Sequence, residues 1–322
     1  MARRDIEKIL VIKLSALGDV VLALAAMKRI REAHPKAHIT LLTTPPFEAL
    51  MRMSPYVDEV DTDGRPEGFR AWMALLGRLR RARYDRVYDL QTSSRSGRIH
   101  LGLWPFPPQW SGIAFGCSHP HRNRRRNFMH TLERQADQLK EAGIWPDAPT
   151  GVGEAPPPDL SWILAAANAP APARPYALLI PGGSAHRPEK RWPAERYGEF
   201  AKAMIARGFE VVVIGGAQET ELAEAIRRLA PEARDLTAKT DLPTVAALGA
   251  RAALVVGNDT GPLHLAAATG APTIVLFSAA SDPDLSAPRG HVAVLHAPDL
   301  ADMPVAQVLQ AAEALTPAPV RA

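Results

Sequence analysis

A carboxylate that could accept a proton follows the first apolar run of the sequence. The run at 6–14 is short and rich in β-branched residues, which is typical of a buried parallel strand, and Ser15, Gly18 and Asp19 come after it. Ligands of open parallel sheets bind beyond the carboxyl ends of the strands, so Asp19 could act as a general base towards a bound hydroxyl. An N-cap of the following helix would also explain the aspartate, and its position alone favours the cap.

The loop at 181–193 contains the ingredients of a phosphate-binding site. It follows a second buried strand and precedes a helix that begins at Pro193. Exposed backbone N–H groups, a hydroxyl and cations before a helix together favour phosphate. An ordinary surface loop with a basic tip is the alternative, and the combination favours the phosphate site. The residues concerned are Gly182, Gly183, Ser184, Lys190 and Arg191.

A polar loop at 257–264, with the sequence GNDTGPLH, separates two apolar segments. Pro262 can begin a helix there, and the N–H groups of that helix start would favour a diphosphate. A single histidine beside such a loop is more often structural, but the polar sequence is more than a turn requires. The candidate residues are Asp259, Thr260, Gly261 and His264.

The apolar pattern places these loops between alternating strands and helices. In the first half it predicts strands at 6–14, 37–43, 84–90 and 113–116, and helices at 19–34, 68–83 and 131–143. In the second half it predicts strands at 176–180, 210–214, 252–256 and 272–277, and helices at 193–207, 218–229 and 262–269. Packing alone would explain the Gly215-Gly216 pair after one of these strands. The alternation predicts an α/β protein with two doubly wound domains.

The length supports two domains, since the 322 residues exceed the ~250 at which single cores stop growing. Two proline-rich stretches, at 146–159 and 168–175, interrupt the pattern, and such composition is typical of semi-rigid, extended connectors. We therefore predict domains at 1–160 and 161–322, with a linker at about 146–175.

Composition excludes several classes of protein. A hydrophobic share of 47% is too high for disorder, and the single cysteine excludes a disulfide scaffold or a CxxC zinc site. No stretch reaches the ~18 apolar residues that a membrane span needs. The N-terminal sequence offers no signal-peptide cleavage site, so we expect a cytoplasmic protein.

The net charge of +4 is unevenly distributed. Residues 1–160 contain 24 Lys and Arg against 18 Asp and Glu, whereas residues 161–322 contain 14 against 16. The basic first half predicts an anionic partner, and a solvated surface is the equal alternative for any single run of charges. We expect this partner to contact Arg95 and Arg98, which follow the predicted strand at 84–90. Further contacts are expected in the basic stretch 119–126, which contains Arg122 and Arg124.

Three blocks of sequence together resemble the ADP-heptose:lipopolysaccharide heptosyltransferases of glycosyltransferase family 9. They are ILVIKLSALGDVVLALAAMKRIREAHP at 9–35, PGGSAHRPEKRWPAERY at 181–197 and GNDTGPLHLAAATGAPTIVLF at 257–277. Each block alone is weak evidence, but their order and spacing agree with the family across both halves.

The resemblance implies a GT-B fold, in which two Rossmann-like doubly wound domains face each other across a cleft. The first half would bind the acceptor and the second half the nucleotide-sugar donor, and the last helix, near 304–315, would return towards the first domain. The implied reaction is inverting transfer of a heptose from ADP-heptose to a hydroxyl of the lipopolysaccharide inner core, either Kdo-lipid A or a heptosylated core.

The resemblance also implies roles for single residues. Asp19 would be the general base, and Lys190 would bind the donor phosphates and offset the charge of the departing ADP. The loops at 182–191 and 259–264 would bind the donor, while Ser15, Gly18 and the arginines would face an anionic glycolipid acceptor. We expect no metal and no cofactor besides the nucleotide-sugar co-substrate. The partners can include the cytoplasmic face of the inner membrane, but not nucleic acid.

One departure from the family and three alternatives remain. After Phe277 the family usually has a glycine-containing turn, whereas this chain has Ser278, two alanines, Ser281 and Asp282, so another nucleotide sugar or acceptor glycan is an alternative within the family. A basic nucleic-acid-binding protein is less favoured, because the chain has few aromatic residues and no recognisable module. A nicotinamide-dependent oxidoreductase is disfavoured because GxGxxG is missing.

Overall fold

The protein is described by a computed structural model that covers residues 6–149, 151–166, 169, 171–183 and 188–316. The chain divides into two compact units, Met1–Pro158 and Asp159–Ala322, called unit 1 and unit 2 below. Within the described residues, no helix combines the length and the hydrophobicity needed to cross a bilayer.

Unit 1 is built on a parallel sheet of six strands. In chain order the strands are β1 (Lys8–Ile12), β2 (His38–Leu42), β3 (Glu59–Asp61), β4 (Arg86–Asp89), β5 (Gln109–Gly112) and β6 (His119–Pro120). Their spatial order is β3-β2-β1-β4-β5-β6, with every neighbouring pair parallel. This is the order of the Rossmann fold, in which the chain returns to the centre of the sheet and continues outward on the other side.

Helices cover both faces of this sheet. They are α1 (Leu17–Ala33), α2 (Glu48–Met51), α3 (Gly68–Ala82), α4 (Ser94–Gly102) and α5 (Thr131–Glu141). Alternate residues of a strand face opposite sides, so Leu10 and Ile12 of β1 pack with Leu75 and Leu79 of α3 and with Ile99 of α4. On the other face, α1 packs against α5. Both faces of the sheet are therefore buried, as parallel sheets require.

Unit 2 repeats the same topology. Its strands are β7 (Tyr176–Ile180), β8 (Glu210–Val213), β9 (Arg234–Asp235), β10 (Leu254–Asn258), β11 (Thr273–Phe277) and β12 (Val292–His296). Their spatial order is β12-β11-β10-β7-β8-β9, all parallel. The helices are α6 (Ile163–Ala166), α7 (Ala194–Ala206), α8 (Thr220–Leu229), α9 (Leu242–Arg251), α10 (Gly261–Ala267), α11 (Pro283–Ser286) and α12 (Val305–Leu315). The α/β class and the two Rossmann-like doubly wound sheets are confirmed.

The last helix packs within its own unit. Val308 and Ala312 of α12 are buried in the core that α7 shares with the sheet. The return of this helix towards unit 1 stays a prediction.

Two sequence-based expectations about local structure are wrong. The strand expected at 113–116 is a turn, closed by the Cys117 N–H on the Ala114 carbonyl at 3.2 Å, and the strand lies earlier, at β5. Trp110, which is fully buried, anchors that strand. Cys117 itself is buried and its Sγ lies 3.7 Å from the Gly112 carbonyl oxygen, and burial raises the pKa of its thiol.

The proline-rich segment expected as an unpacked connector makes specific contacts. The N–H groups of Gly153 and Ala155 donate to Glu133 Oε1 at 3.0 and 3.3 Å. The Leu160 N–H donates to the Ala268 carbonyl at 3.3 Å, and the side chains of Leu160 and Ile163 are fully buried. These apolar residues interrupt the prolines and anchor the segment, while positions 150, 167, 168 and 170 lie outside the described residues.

Candidate active site

A pocket of about 560 Å³ lies at the carboxyl ends of β7, β8 and β10 in unit 2. Strands β7 and β10 are neighbours at the point where the strand order reverses, which is where open α/β sheets bind ligands. Its walls include the predicted residues Gly182, Gly183, Lys190, Asp259, Thr260 and Gly261. The two loops that are expected to bind the donor therefore line one pocket of unit 2.

Three side chains converge on the carboxylate of Asp259. Lys190 Nζ lies 3.1 Å from Oδ2, the Ser281 hydroxyl donates to the same oxygen at 2.8 Å, and His264 Nε2 lies 3.3 Å from Oδ1. Burial alone would raise the pKa of Asp259, but the hydrogen bonds from His264 and Ser281 and the charge of Lys190 lower it to about 2. Asp259 is therefore an anion at all working pH values, and it holds Lys190 at the pocket.

A free hydroxyl lies beside this anion. Thr260 is the N-cap residue of α10, yet its Oγ1 is buried and has no hydrogen-bond partner among the described residues. His264 is buried on the first turn of the same helix, with Nδ1 likewise unpartnered within that part of the chain. Buried polar groups normally have partners, so a free hydroxyl in the pocket wall indicates a place where a ligand can be bound.

Asn258 fixes the loops around the pocket. Its Oδ1 accepts hydrogen bonds from the Trp192 N–H at 3.0 Å and the Tyr197 hydroxyl at 3.1 Å. Its Nδ2 donates to the carbonyl oxygens of Pro181 at 2.9 Å and Gly182 at 3.1 Å. One fully buried amide thus ties the end of β10 to the glycine loop after β7 and to the start of α7.

Some residues of the predicted donor site have other roles or positions. The Arg191 guanidinium donates to the Gly183 carbonyl at 2.6 Å and lies 4.0 Å from Glu219, so it braces the loop. Ser184 lies outside the described residues. Gly215 and Gly216, which packing alone would explain in the sequence, line the pocket. The pocket wall from Thr240 to Leu242 was not predicted, because it precedes α9 and carries no glycine motif.

Asp19 of unit 1 is the third residue of α1 and not its N-cap, which is Ala16. Its Oδ2 accepts the Ala16 N–H at 3.2 Å, while Oδ1 lies 3.8 Å from Lys13 Nζ. The Asp19 side chain remains 43% exposed, against 4% for Lys13. The hydrogen bond from the start of the helix thus fixes the position of the carboxylate, which stays accessible to a substrate.

Charged residues that the sequence pattern did not single out lie beneath Asp19. Lys13 and Asp89 are both buried at the ends of adjacent strands. Burial lowers the pKa of Lys13, with Asp19 and Asp89 opposing the shift. Burial raises the pKa of Asp89 to about 6, against hydrogen bonds from the N–H groups of Thr92 and Gln91. The sequence marks both residues only as charges at the end of an apolar strand, which does not identify their partners.

The loop before Asp19 is fixed by side chains from two other segments. The N–H groups of Leu14 and Ser15 donate to Gln91 Oε1 at 2.8 and 3.3 Å, and the Ser15 hydroxyl accepts from the Arg65 guanidinium. Gly18 lies in the first turn of α1. These contacts hold the predicted residues Ser15, Gly18 and Asp19 together at the carboxyl end of β1.

The four predicted arginines do not form one cluster. Arg95 and Arg98 line a groove of about 510 Å³ between α3 and α4, together with the apolar residues Phe69, Trp72 and Leu101. Neither guanidinium group has a hydrogen bond or ion pair within the part of the chain that the structure describes. Arg122 and Arg124 are exposed in the loop after β6 and do not line this groove.

Among the described residues, no group of three His, Cys, Asp or Glu side chains is placed to hold a metal ion. The expected independence from metals and cofactors stays a prediction.

The fold and the site define a glycosyltransferase. The family model for glycosyltransferase family 9 (heptosyltransferase) matches residues 72–304, which is well over half of the chain. The protein belongs to glycosyltransferase family 9.

Named proteins of this type resemble the chain over nearly its whole length. Lipopolysaccharide heptosyltransferase 2 of Escherichia coli (strain K12) is 28% identical over 312 residues, covering 89% of this chain and 86% of the relative. The solved structure of E. coli ADP-heptose lps heptosyltransferase II matches with a TM-score of 0.78 at 26% identity, covering 96% of this chain and 98% of that one. A family 9 glycosyltransferase from Veillonella parvula has the same TM-score at 22% identity and shows the shared fold.

Replacement of Asp259 by asparagine tests the charge of the pocket. Because the pKa of Asp259 falls from its ordinary value of 3.8 to about 2 on folding, its stabilising contribution is present above about pH 4 and is lost as the pH falls through 2. We expect Asp259→Asn to lower the free energy of unfolding by about 2 kcal/mol near neutral pH, with the difference shrinking in acid. Urea unfolding over this pH range measures it, and a pH-independent difference would contradict the assignment.

Proposed function

We propose that the protein transfers a heptose from ADP-heptose to a hydroxyl of the lipopolysaccharide inner core, with inversion at the anomeric carbon. The observation that carries the proposal is the pocket of unit 2, where Lys190 is paired with an ionised carboxylate beside a free hydroxyl at the reversal of strand order. The relatives named above support the choice of substrates. Kdo-lipid A or a heptosylated core is the acceptor that this proposal assigns.

The chemistry of the pocket suits a nucleoside diphosphate. A volume of about 560 Å³ is in the usual range for small-molecule sites. The Thr260 hydroxyl and the Lys190 ammonium would contact the phosphates, and the glycine loops let the backbone approach closely. As the bond from the anomeric carbon to the ADP oxygen breaks, Lys190 offsets the negative charge that builds on ADP. In this proposal the Lys190 side chain, and not a metal ion, stabilises the charge of the leaving group.

Asp19 supplies the other half of the reaction. Its exposed carboxylate would take the proton of the acceptor hydroxyl while that oxygen attacks the anomeric carbon from the side opposite ADP. The contact with the helix start uses only Oδ2 of Asp19, which accepts the Ala16 N–H, and the accessible side chain leaves Oδ1 to take the proton in this proposal. The proposed donor pocket lies in unit 2 and the proposed base lies in unit 1. Transfer therefore needs both units.

The groove between α3 and α4 would receive the anionic, lipid-bearing side of the acceptor. Helices α3 and α4 contain arginines and no acidic residue, and Phe69 and Leu101 are 78% and 65% exposed. Arginines beside exposed apolar side chains are typical of helices that contact anionic membrane surfaces. We therefore place peripheral contact with the cytoplasmic face of the inner membrane here, with Arg122 and Arg124 as further acceptor contacts.

Substitution of Asp19 by asparagine separates chemistry from binding. Asparagine can still accept the Ala16 N–H but cannot take a proton, so we expect transfer to fall by about 10²–10⁴-fold while donor affinity stays within about twofold. Transfer assays and calorimetry with ADP measure the two effects. Glu32→Gln, on the exposed end of the same helix, is the matched control. Normal turnover of the Asp19 variant would remove this residue as the base.

Substitution of Lys190 by alanine tests the phosphate contact. The change removes a charge-assisted hydrogen bond and leaves the Asp259 anion beside the phosphates without its lysine cation, so we expect ADP-heptose affinity to fall about ten- to a hundredfold. Calorimetry measures the affinity and a transfer assay the accompanying loss of rate. Lys202→Ala, an exposed lysine of α7, is the control, and unchanged affinity of Lys190→Ala would exclude the proposed contact.

The membrane contact is tested by sedimentation with vesicles. We expect the protein to bind phosphatidylglycerol-rich vesicles but not pure phosphatidylcholine, and the double variant Phe69→Ser/Leu101→Ser to lose most of this binding. Leu229→Ser/Val294→Ser removes two partly exposed apolar residues of unit 2 and is the matched control. Equal binding of both double variants would contradict the assignment of the surface, without affecting the proposed transfer reaction.

A further inference from the structure

The loop after β11, where this chain departs from the family's glycine-containing turn, reaches the carboxylate of Asp259. Ser281 lies 22 residues away in sequence, and its hydroxyl donates to Asp259 Oδ2 at 2.8 Å. The loop itself is ordered by local hydrogen bonds: the Ala279 N–H donates to the Pro298 carbonyl and the Ser281 N–H donates to the Ser278 carbonyl, both at 3.2 Å. The hydroxyl is therefore presented from a fixed backbone.

Ser281 and Lys190 share one oxygen of this carboxylate. A carboxylate has about four acceptor positions, and Ser281, Lys190 and His264 occupy three of them. The Asp259 side chain is 13% exposed and that of Lys190 is 17% exposed, so water competes little for these positions. The direction in which Lys190 points depends on where Oδ2 is held.

We propose that Ser281 is a positioning residue for donor binding: it holds Asp259 Oδ2 in place and thereby directs the Lys190 ammonium to the donor diphosphate. The inference rests on the proposed function, because it names a residue that tunes the donor site. Ser281 acts through Asp259 and Lys190 and is not itself a catalytic residue.

The reason lies in the competition between two anions for one cation. Asp259 and the donor diphosphate both attract Lys190, and they repel each other. The Ser281 hydroxyl satisfies part of the charge on Oδ2 and fixes its orientation, which leaves the ammonium free to contact phosphate with its other protons. Without that hydroxyl, the carboxylate can rotate and pair more closely with Lys190. The phosphates then bind the Lys190 ammonium less tightly.

Ser281→Ala is the direct test. We expect ADP and ADP-heptose affinity to fall about three- to tenfold, which is less than the loss of a direct hydrogen bond to a charged group because Ser281 acts through Lys190, with KM for the donor rising in parallel and kcat changing less than about twofold. Ser281→Thr keeps the hydroxyl and should restore the affinity. Ser286→Ala removes a hydroxyl of the same segment that does not contact Asp259 and should have no effect.

A double-mutant cycle distinguishes positioning from a general packing effect. If Ser281 acts through Lys190, the loss of ADP affinity in Ser281→Ala should largely disappear when Lys190 is already alanine. Undiminished loss in the Lys190→Ala background, or no loss in the wild-type background, overturns the inference.

The outcome for the unmodified protein separates this inference from the function on which it rests. Failure of the wild-type protein to bind ADP and ADP-heptose would contradict both the proposed function and the role of Ser281. Tight binding by the wild type, with identical binding by Ser281→Ala, would contradict only the role of Ser281.

Discussion

The amide of Asn258 is the interaction on which the geometry of unit 2 depends. All four of its hydrogen-bonding positions are used, and they join the end of β10 to two segments that lie 61 to 77 residues earlier in the sequence. Successive residues of a strand face opposite sides, so an inward Asn258 is followed by an Asp259 that faces the pocket. A single buried side chain therefore sets both the position of the glycine loop and the direction of the anion that holds Lys190. Leaving several buried partners without hydrogen bonds is costly, which makes this arrangement rigid.

The two units share one topology but expose their carboxylates differently. Asp19 is 43% exposed and contacts one buried lysine, whereas Asp259 is 13% exposed and contacts three side chains. A base must be reached by an incoming hydroxyl, and so it cannot be enclosed by partners. An anion beside a phosphate site would repel the phosphate unless its charge were offset, and so it needs hydrogen-bond donors and a cation around it. Under the proposed function, carboxylates near the carboxyl ends of the two sheets serve opposite electrostatic needs in the two units.

The sequence predicts the central strands well and the irregular ones poorly. Strand β7 is predicted to the residue, because YALLI is apolar on both faces and is preceded by proline. Strand β5 is missed, because its QWSG sequence is half polar and only Trp110 anchors it. Helix α4 is missed for a similar reason, since SRSGRIHLG has few apolar residues and is defined instead by its Ser93 cap. The apolar composition of the central strands predicts that they are buried. The short elements β5 and α4 lack that composition, and their formation depends on contacts with other parts of the chain.

The candidate site is predictable where one loop carries several polar residues. The composition of the loops at 181–191 and 257–264 identifies them as candidate binding loops. Because both follow parallel strands of one sheet, they lie at the same edge of that sheet. Lys13 and Asp89 were missed because a charged residue in an apolar run reads as a strand end and says nothing of its partner. The hydrogen bond from Ser281 has no local signal at all, because the register between β10 and β11 determines which loop residue reaches Asp259.

The burial of Cys117 has a practical consequence for measuring how this enzyme works. The only thiol of the chain is shielded by the core, and its raised pKa leaves little of the reactive thiolate at neutral pH. A cysteine placed on the surface of either unit would then be the one site that reacts with a maleimide dye. Fluorescent labels can thus be attached one at a time to the native background, without first replacing a residue of the core.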